Sequence, residues 1–398
     1  MKVSKQRRSR GKTWSRSLNF LFLIGLSEIV SFHVYHWVVY ELSLVTVSEP
    51  SNINPKNSSS HKESQWNGSP KEAFLGGASE PLIFDSLAIP IYGKSNRTDQ
   101  GGINVTIDRL IRMGFSLETI QNESDLPAWS QIIDNYGEEP VILGLERCAA
   151  FRREVVPTSR FVAPAGLFST GTNLVNNLLF ANCHPPENQR KQKFHVWQVP
   201  WGKHNPASAR LRFKAPRHEF RNQSHVLPIV MVRHPFTWML ALCKHHYSLI
   251  WNHDLDACED TLGLENRVMA QLGFARDIEY ASLIHVWRDW NLEYFRNHQY
   301  PLLIVRHEDL VYRPEPVIEQ ICSCVGGRMT TEPFQYQLDS ANRGRGHGEA
   351  RSDLISAWIK YGKPLRVYYN RFTSQDWKII REVLANDFGM LKALNYFL

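Results

Sequence analysis

RFVAPAGLFSTGTN, residues 160–173, is the stretch on which the reading of this chain turns. Arg160–Pro164 (RFVAP) is an apolar run of β type, a loop with two glycines follows, and a helical pattern begins near Asn173. Strand, glycine loop and helix in that order make a recipe for an anion site. The glycines let the backbone curl, and the N–H groups at the helix start point outward with the positive end of the helix dipole behind them. Ser169, Thr170 and Thr172 add hydroxyl donors, with Gly171 and Asn173 completing the candidate binding segment. No Lys-Ser/Thr pair follows the last glycine, so this is not a Walker A loop.

Outward from this segment, short apolar runs alternate with longer helical patterns. Phe194–Val199, Leu227–Val232 and Leu302–Val305 read as further strands. Helical stretches run from Phe236 to Ile250, from Arg276 to Asn297 and from Glu315 to Val325, the last stopped by Gly326-Gly327. The alternation predicts an α/β domain of three layers, a mainly parallel sheet flanked by helices. In such sheets ligands sit beyond the carboxyl ends of the strands.

Residues just after the apolar runs are therefore the informative ones. Arg233-His234-Pro235 follows the third run and places an arginine where it can grip a phosphate through paired N–H bonds. After the fourth run comes Arg306-His307-Glu308-Asp309-Leu310, whose Glu-Asp pair reads as an ordering element that binds an internal arginine. Trp197–His204 (WQVPWGKH) follows the second run and brings His204 as a general base and Lys203 as a positive charge to the same rim. His184, His195 and the Lys244-His245-His246 run compete with His204 for that role.

In this order the segments resemble the sulfotransferase superfamily, over about residues 158–390. The resemblance implies a P-loop-NTPase-like sulfotransferase fold and the nucleotide co-substrate PAPS (3′-phosphoadenosine 5′-phosphosulfate). Its 5′-phosphosulfate would lie on Ser169–Asn173 and its 3′-phosphate near Arg233. Arg343 and Arg345, in Arg343-Gly344-Arg345-Gly346-His347-Gly348, are similar to the family's basic loop over the 3′-phosphate. Two positions depart from the family: its loop lysine or arginine aligns with Ser169, and its helix serine falls near Ala241. Lys203 and His204 loosely resemble the Lys-X-His segment of cytosolic members.

The amino-terminal quarter speaks of the compartment. Seven basic residues between Lys2 and Arg16 precede any acidic one and equal the whole net charge of +7. No basic surplus remains on the folded part for a polynucleotide, so no nucleic-acid partner is expected. Leu18–Tyr40 has the length of one membrane-spanning helix, and the positive flank predicts a cytosolic amino terminus; a cleaved signal peptide is the rival reading. Sequons open at Asn57, Asn67, Asn96, Asn104, Asn122 and Asn222. The expected layout is a cytosolic tail (1–17), a signal anchor (18–40), a glycosylated stem (41–140) and a catalytic domain (141–398) in the Golgi lumen. Ile107–Met113 and Leu117–Ile120 look helical within that stem. Six cysteines suit disulfides there, in any of fifteen pairings.

The acceptor, whether glycan, protein or small molecule, is not legible, and no metal site is expected. Two other readings stand beside this one. A Golgi glycosyltransferase would use Asp254-Leu255-Asp256 to hold a metal-bound nucleotide sugar. An inactive relative that only binds would follow from Ser169 and Ala241.

Overall fold

The computed structural model describes residues 102–121, 125–186, 194–212, 222–252, 262–272, 277–341, 353–385 and 387–396. Four strands form the central sheet: β1 (Ile142–Leu143), β2 (Phe161–Gly166), β3 (Val226–Val232) and β4 (Leu303–Arg306). Their order is β1-β4-β3-β2. β2 runs parallel to β3 in a register from Phe161↔Val226 to Gly166↔Met231, and β3 runs parallel to β4 from Ile229↔Leu303 to Val232↔Arg306. Only β1 is antiparallel. The fold is thus mixed α/β, with a mostly parallel central sheet flanked by helices.

Strand periodicity explains the two covering layers, since successive side chains point to opposite faces. Val162, Leu227, Ile229, Met231, Leu303 and Val305 pack on one side with α1 (Thr172–Asn182) and with α5 (Pro314–Val325). Ala163, Ala165, Val230, Val232 and Ile304 face the other, against α2 (Pro235–Lys244) and α3 (Leu283–Phe295). A third cluster joins helices at Ile103–Arg112, Leu117–Gln121 and Trp129–Tyr136 to α4 (His307–Tyr312) and α6 (Leu354–Gly362), through Leu110, Ile132, Tyr312 and Trp358. The helical patterns at Ile107–Met113 and Leu117–Ile120 therefore belong to the packed body.

Three expected elements come out differently. Phe194–Val199 makes one parallel bridge, His195 to Val162, and hydrogen bonds from Val196 N to Val162 O and from Val199 N to Pro164 O. Pro164 turns its carbonyl toward this edge, where its missing N–H leaves the ladder short of a donor. The helix from Phe236 ends at Lys244, and Tyr247 takes a left-handed φ of 54° before the strand Leu249–Trp251. Within Arg276–Asn297, Ile278–Tyr280 is a strand and the helix waits for Ser282. These two strands and Val268–Ala270 make a small antiparallel sheet.

Two disulfides tether α5, Cys148–Cys324 and Cys183–Cys322, and Cys243 is disulfide-bonded as well. The sequons at Asn104 and Asn222 leave those asparagines exposed. No described helix is long and apolar enough to cross a membrane, and Leu18–Tyr40 lies outside the described residues.

The Arg306–Asp309 segment carries a dense, buried polar network. Arg306 meets Asp309 through Nε to Oδ2 at 2.6 Å and Nη2 to Oδ1 at 2.8 Å, with both side chains fully buried. The same guanidinium donates to the carbonyls of Tyr136 and Leu394, and Asp309 accepts from Val141 N. Glu308 accepts from the backbone N–H of His234 at 3.0 Å and from the Tyr396 hydroxyl at 2.8 Å, while burial raises its carboxyl above the ordinary value. Removing one partner of a buried pair strands the other's charge in the interior. Asp309→Ala is therefore expected to lower the unfolding free energy by about 3–5 kcal/mol, measured by urea denaturation with the disulfides intact.

Candidate functional site

At the carboxyl ends of β2, β3 and β4 lies a cavity of about 470 Å³. The loop after β2 forms its floor. Gly171 takes φ 88° and no side chain caps the start of α1, so the N–H end of that helix opens toward the cavity. A Cβ on Gly171 would lie 2.5 Å from His307 Nδ1, so glycine is required there on two counts. Ser169 is left-handed too, with φ 59°. That strained turn aims its carbonyl at Arg233, whose Nη1 donates to it at 2.9 Å.

Arg233 is fixed from several directions. Its carbonyl accepts from Trp287 Nε1 and the next N–H is held by Glu308, while its Nε donates to Thr237 Oγ1 at 3.2 Å. The guanidinium lies 4.6 Å over the Tyr361 ring, and Nη2 is buried without a hydrogen-bond partner. A buried N–H of a cation with nothing to bind suits an incoming anion.

Lys203 and His204 arrive by backbone pairing with the end of β2. Gly166 N donates to Lys203 O at 2.7 Å, and His204 Nδ1 lies 2.7 Å from Gly166 O. A carbonyl only accepts, so His204 carries its proton on Nδ1 and presents the basic lone pair on Nε2. Its ring packs on Phe168 at 4.2 Å. Lys203 Nζ donates to Asn173 Oδ1 at 3.0 Å and sits 4.2 Å from the exposed Trp197 ring. Burial lowers its ammonium to about 8. Lys203 thus brings its ammonium to the start of α1 from the neighbouring segment.

Most of the residues singled out in the sequence meet here. Ser169, Gly171, Thr172, Asn173, Lys203, His204 and Arg233 all line the cavity, as does Ala241. Thr170 does not: its hydroxyl donates to Leu167 O at 2.7 Å, so it braces the loop from inside rather than offering a donor to a ligand. Arg343 and Arg345, and Asp254 with Asp256, lie outside the described residues. Of the competing histidines, His245 reaches the cavity, whereas His195 is buried against Cys183 O and His184 belongs to a short sheet with Arg328–Met329. Among the described residues no group of His, Cys, Asp or Glu is disposed to hold a metal ion. The sequence reading passed over His307, Lys360 and Tyr361, which also line the cavity. His307 carries the signal of a residue placed just after a strand. Lys360 and Tyr361 come from α6, far along the chain, with no local signal.

Gly171→Ala is expected to cost about 1–3 kcal/mol of stability. Gly389→Ala, whose added Cβ meets nothing within 4 Å in a helix, should instead stabilise by about 0.5–1 kcal/mol. Urea denaturation of both variants checks the contrast. No family model, curated protein or solved structure matches this chain, so the function rests on the cavity's own chemistry.

Proposed function

We propose that the chain is a PAPS-dependent sulfotransferase of the P-loop-NTPase-like sulfotransferase fold. It moves a sulfuryl group to a hydroxyl or amine of a glycan, protein or small molecule. Its carrying observation is the convergence in one cavity of the α1 start, Arg233, Lys203 and His204. The cavity's size, the unpartnered Nη2 of Arg233 and the uncapped helix suit a doubly anionic nucleotide tail. The two disulfides fit an oxidising compartment, in keeping with a catalytic domain anchored by residues 18–40 in the Golgi lumen.

In this reading PAPS supplies the sulfuryl group, leaving as adenosine 3′,5′-bisphosphate. Arg233 holds the 3′-phosphate, and the Ser169–Asn173 backbone cradles the 5′ end. His204 Nε2 takes the acceptor's proton as its oxygen or nitrogen bonds to sulfur and the bond from sulfur to the phosphate oxygen breaks. Lys203 and the loop N–H groups stabilise the negative charge left on that oxygen; one such preorganised donor contributes roughly 3–4 kcal/mol at the transition state. A second reading, a relative that binds PAPS without transfer, draws on Ala241, which lines the cavity where the family carries a serine.

Labelled PAPS with an acceptor panel separates the two, since binding without transfer favours the second. Arg233→Ala should weaken PAPS binding, while His204→Ala should lower turnover by about a hundredfold or more with binding kept. Unchanged kinetics in both would defeat the assignment. Lys203 must be protonated to act, so kcat/KM should fall as pH rises through about 8. Lys203→Arg should move that limb upward, because a guanidinium stays charged.

A further inference from the structure

Sulfuryl transfer leaves several titratable groups of the cavity unused, and His307 is one of them. His307 directly follows β4, lines the cavity and is only 8% exposed. Its Nδ1 is buried against Gly171 with no hydrogen-bond partner, and its ring meets Tyr361 edge-on at 5.4 Å. Arg233 is 3% exposed, and its Nη2 is likewise unsatisfied. A histidine that only fills a core normally finds partners for its ring nitrogens. Here two neighbouring buried side chains beside the loop each keep one nitrogen without a partner, Nδ1 of His307 and Nη2 of Arg233.

The charged surroundings of His307 come from several elements. Arg233 faces it from the turn before α2, and Lys360 with Tyr361 from α6. Lys203, His204, His245, Asp339 and Asp353 also line the cavity. Burial, then Arg233 and Lys360, hold the imidazole well below its ordinary value, so it is neutral among its own neighbours. An anion placed between these groups reverses the balance, because opposite charge favours the protonated ring.

We propose that His307 is a proton-linked anion ligand: a phosphate- or sulfate-bearing molecule entering this cavity brings one proton onto His307. Together with Arg233 and Lys360 it then forms a three-cation cradle that exists only in the complex. The inference rests on the anion-site part of the functional reading and not on sulfuryl transfer. Its sign is fixed. With the ring's affinity for protons low alone and higher in the complex, binding takes up a proton between the two values and tightens as pH falls through the upper one. It levels off below the lower one. One linked proton changes affinity by at most about tenfold per pH unit. Ionisation of the ligand's own phosphate, near pH 6, runs the other way, and Lys203 contributes mainly at higher pH. Both are common to a His307→Gln variant and drop out of the difference.

Calorimetric titration of the full chain, in buffers of different ionisation enthalpy at about pH 6, tests this with adenosine 3′,5′-bisphosphate and, separately, inorganic pyrophosphate. The protein is expected to take up more protons per ligand than His307→Gln, and to show a steeper tightening toward acid. Equal uptake and equal slope in the two proteins overturn the proposal while leaving nucleotide binding intact. Pyrophosphate bound with His307-linked uptake, but no binding of the bisphosphate, keeps this inference and sinks the sulfotransferase reading. Failure to bind either probe sinks both. Should His307→Gln not fold, the His307 ring resonances of the unaltered protein decide: a titration midpoint unmoved by pyrophosphate overturns the proposal.

Discussion

The site depends on the buried contact between Arg306 and Asp309, with Glu308 between them in sequence. Arg306 at the end of β4, with Glu308 and Asp309 just beyond it, gathers parts of the chain that are far apart: the segment at Tyr136–Val141, Leu394–Tyr396 and the turn at His234. A fully buried ion pair gives little net stability against an apolar substitute, but it tolerates no half measure once its partners are committed. That intolerance makes it a device for position. Glu308, between the paired residues in sequence, fixes the His234 N–H and so sets where the Arg233 side chain leaves the sheet, and the start of α4 sets His307 against Gly171.

Arg233, Lys203 and Lys360 bring positive charge to the cavity, which Asp339 and Asp353 also line. Arg233 is stacked on Tyr361 and tied to the Ser169 carbonyl, Lys203 leans on Asn173 and the Trp197 face, and Lys360 comes from α6. Aromatic faces and carbonyl dipoles hold these cations without neutralising them. Burial lowers the proton affinity of Lys203, and burial followed by the charges of Arg233 and Lys360 lowers that of His307. An anion entering such a cavity would meet Arg233 and Lys203, cations that the fold holds by carbonyl oxygens and aromatic faces, and this is the physical ground of the proposed anion site.

The loop between β2 and α1 shows how backbone strain is put to use. Ser169 and Gly171 are both left-handed, and Thr170 between them ties its hydroxyl back to Leu167. The Thr170 hydroxyl is spent on bracing, so Ser169, Thr172 and the backbone N–H groups are what the loop turns to the cavity. Lys203 reaches the start of α1 from the segment hydrogen-bonded along the edge of β2.

By itself the sequence determined the layers and the loop. Apolar runs of strand length, Gly171 and the arginine after β3 are local signals, because strand burial, a left-handed turn and a strand end each act through neighbours in sequence. It also determined that the Glu-Asp pair after β4 orders the interior. Tertiary structure alone decided that Phe194–Val199 is a frayed edge, since that rests on which side of β2 the N–H of Pro164 is missing from. It decided that Thr170 turns inward, and that His307, Lys360 and Tyr361 share a cavity with Arg233. Those facts depend on contacts between segments up to well over a hundred residues apart, and a long-range contact leaves no periodicity in a chain read one residue after another.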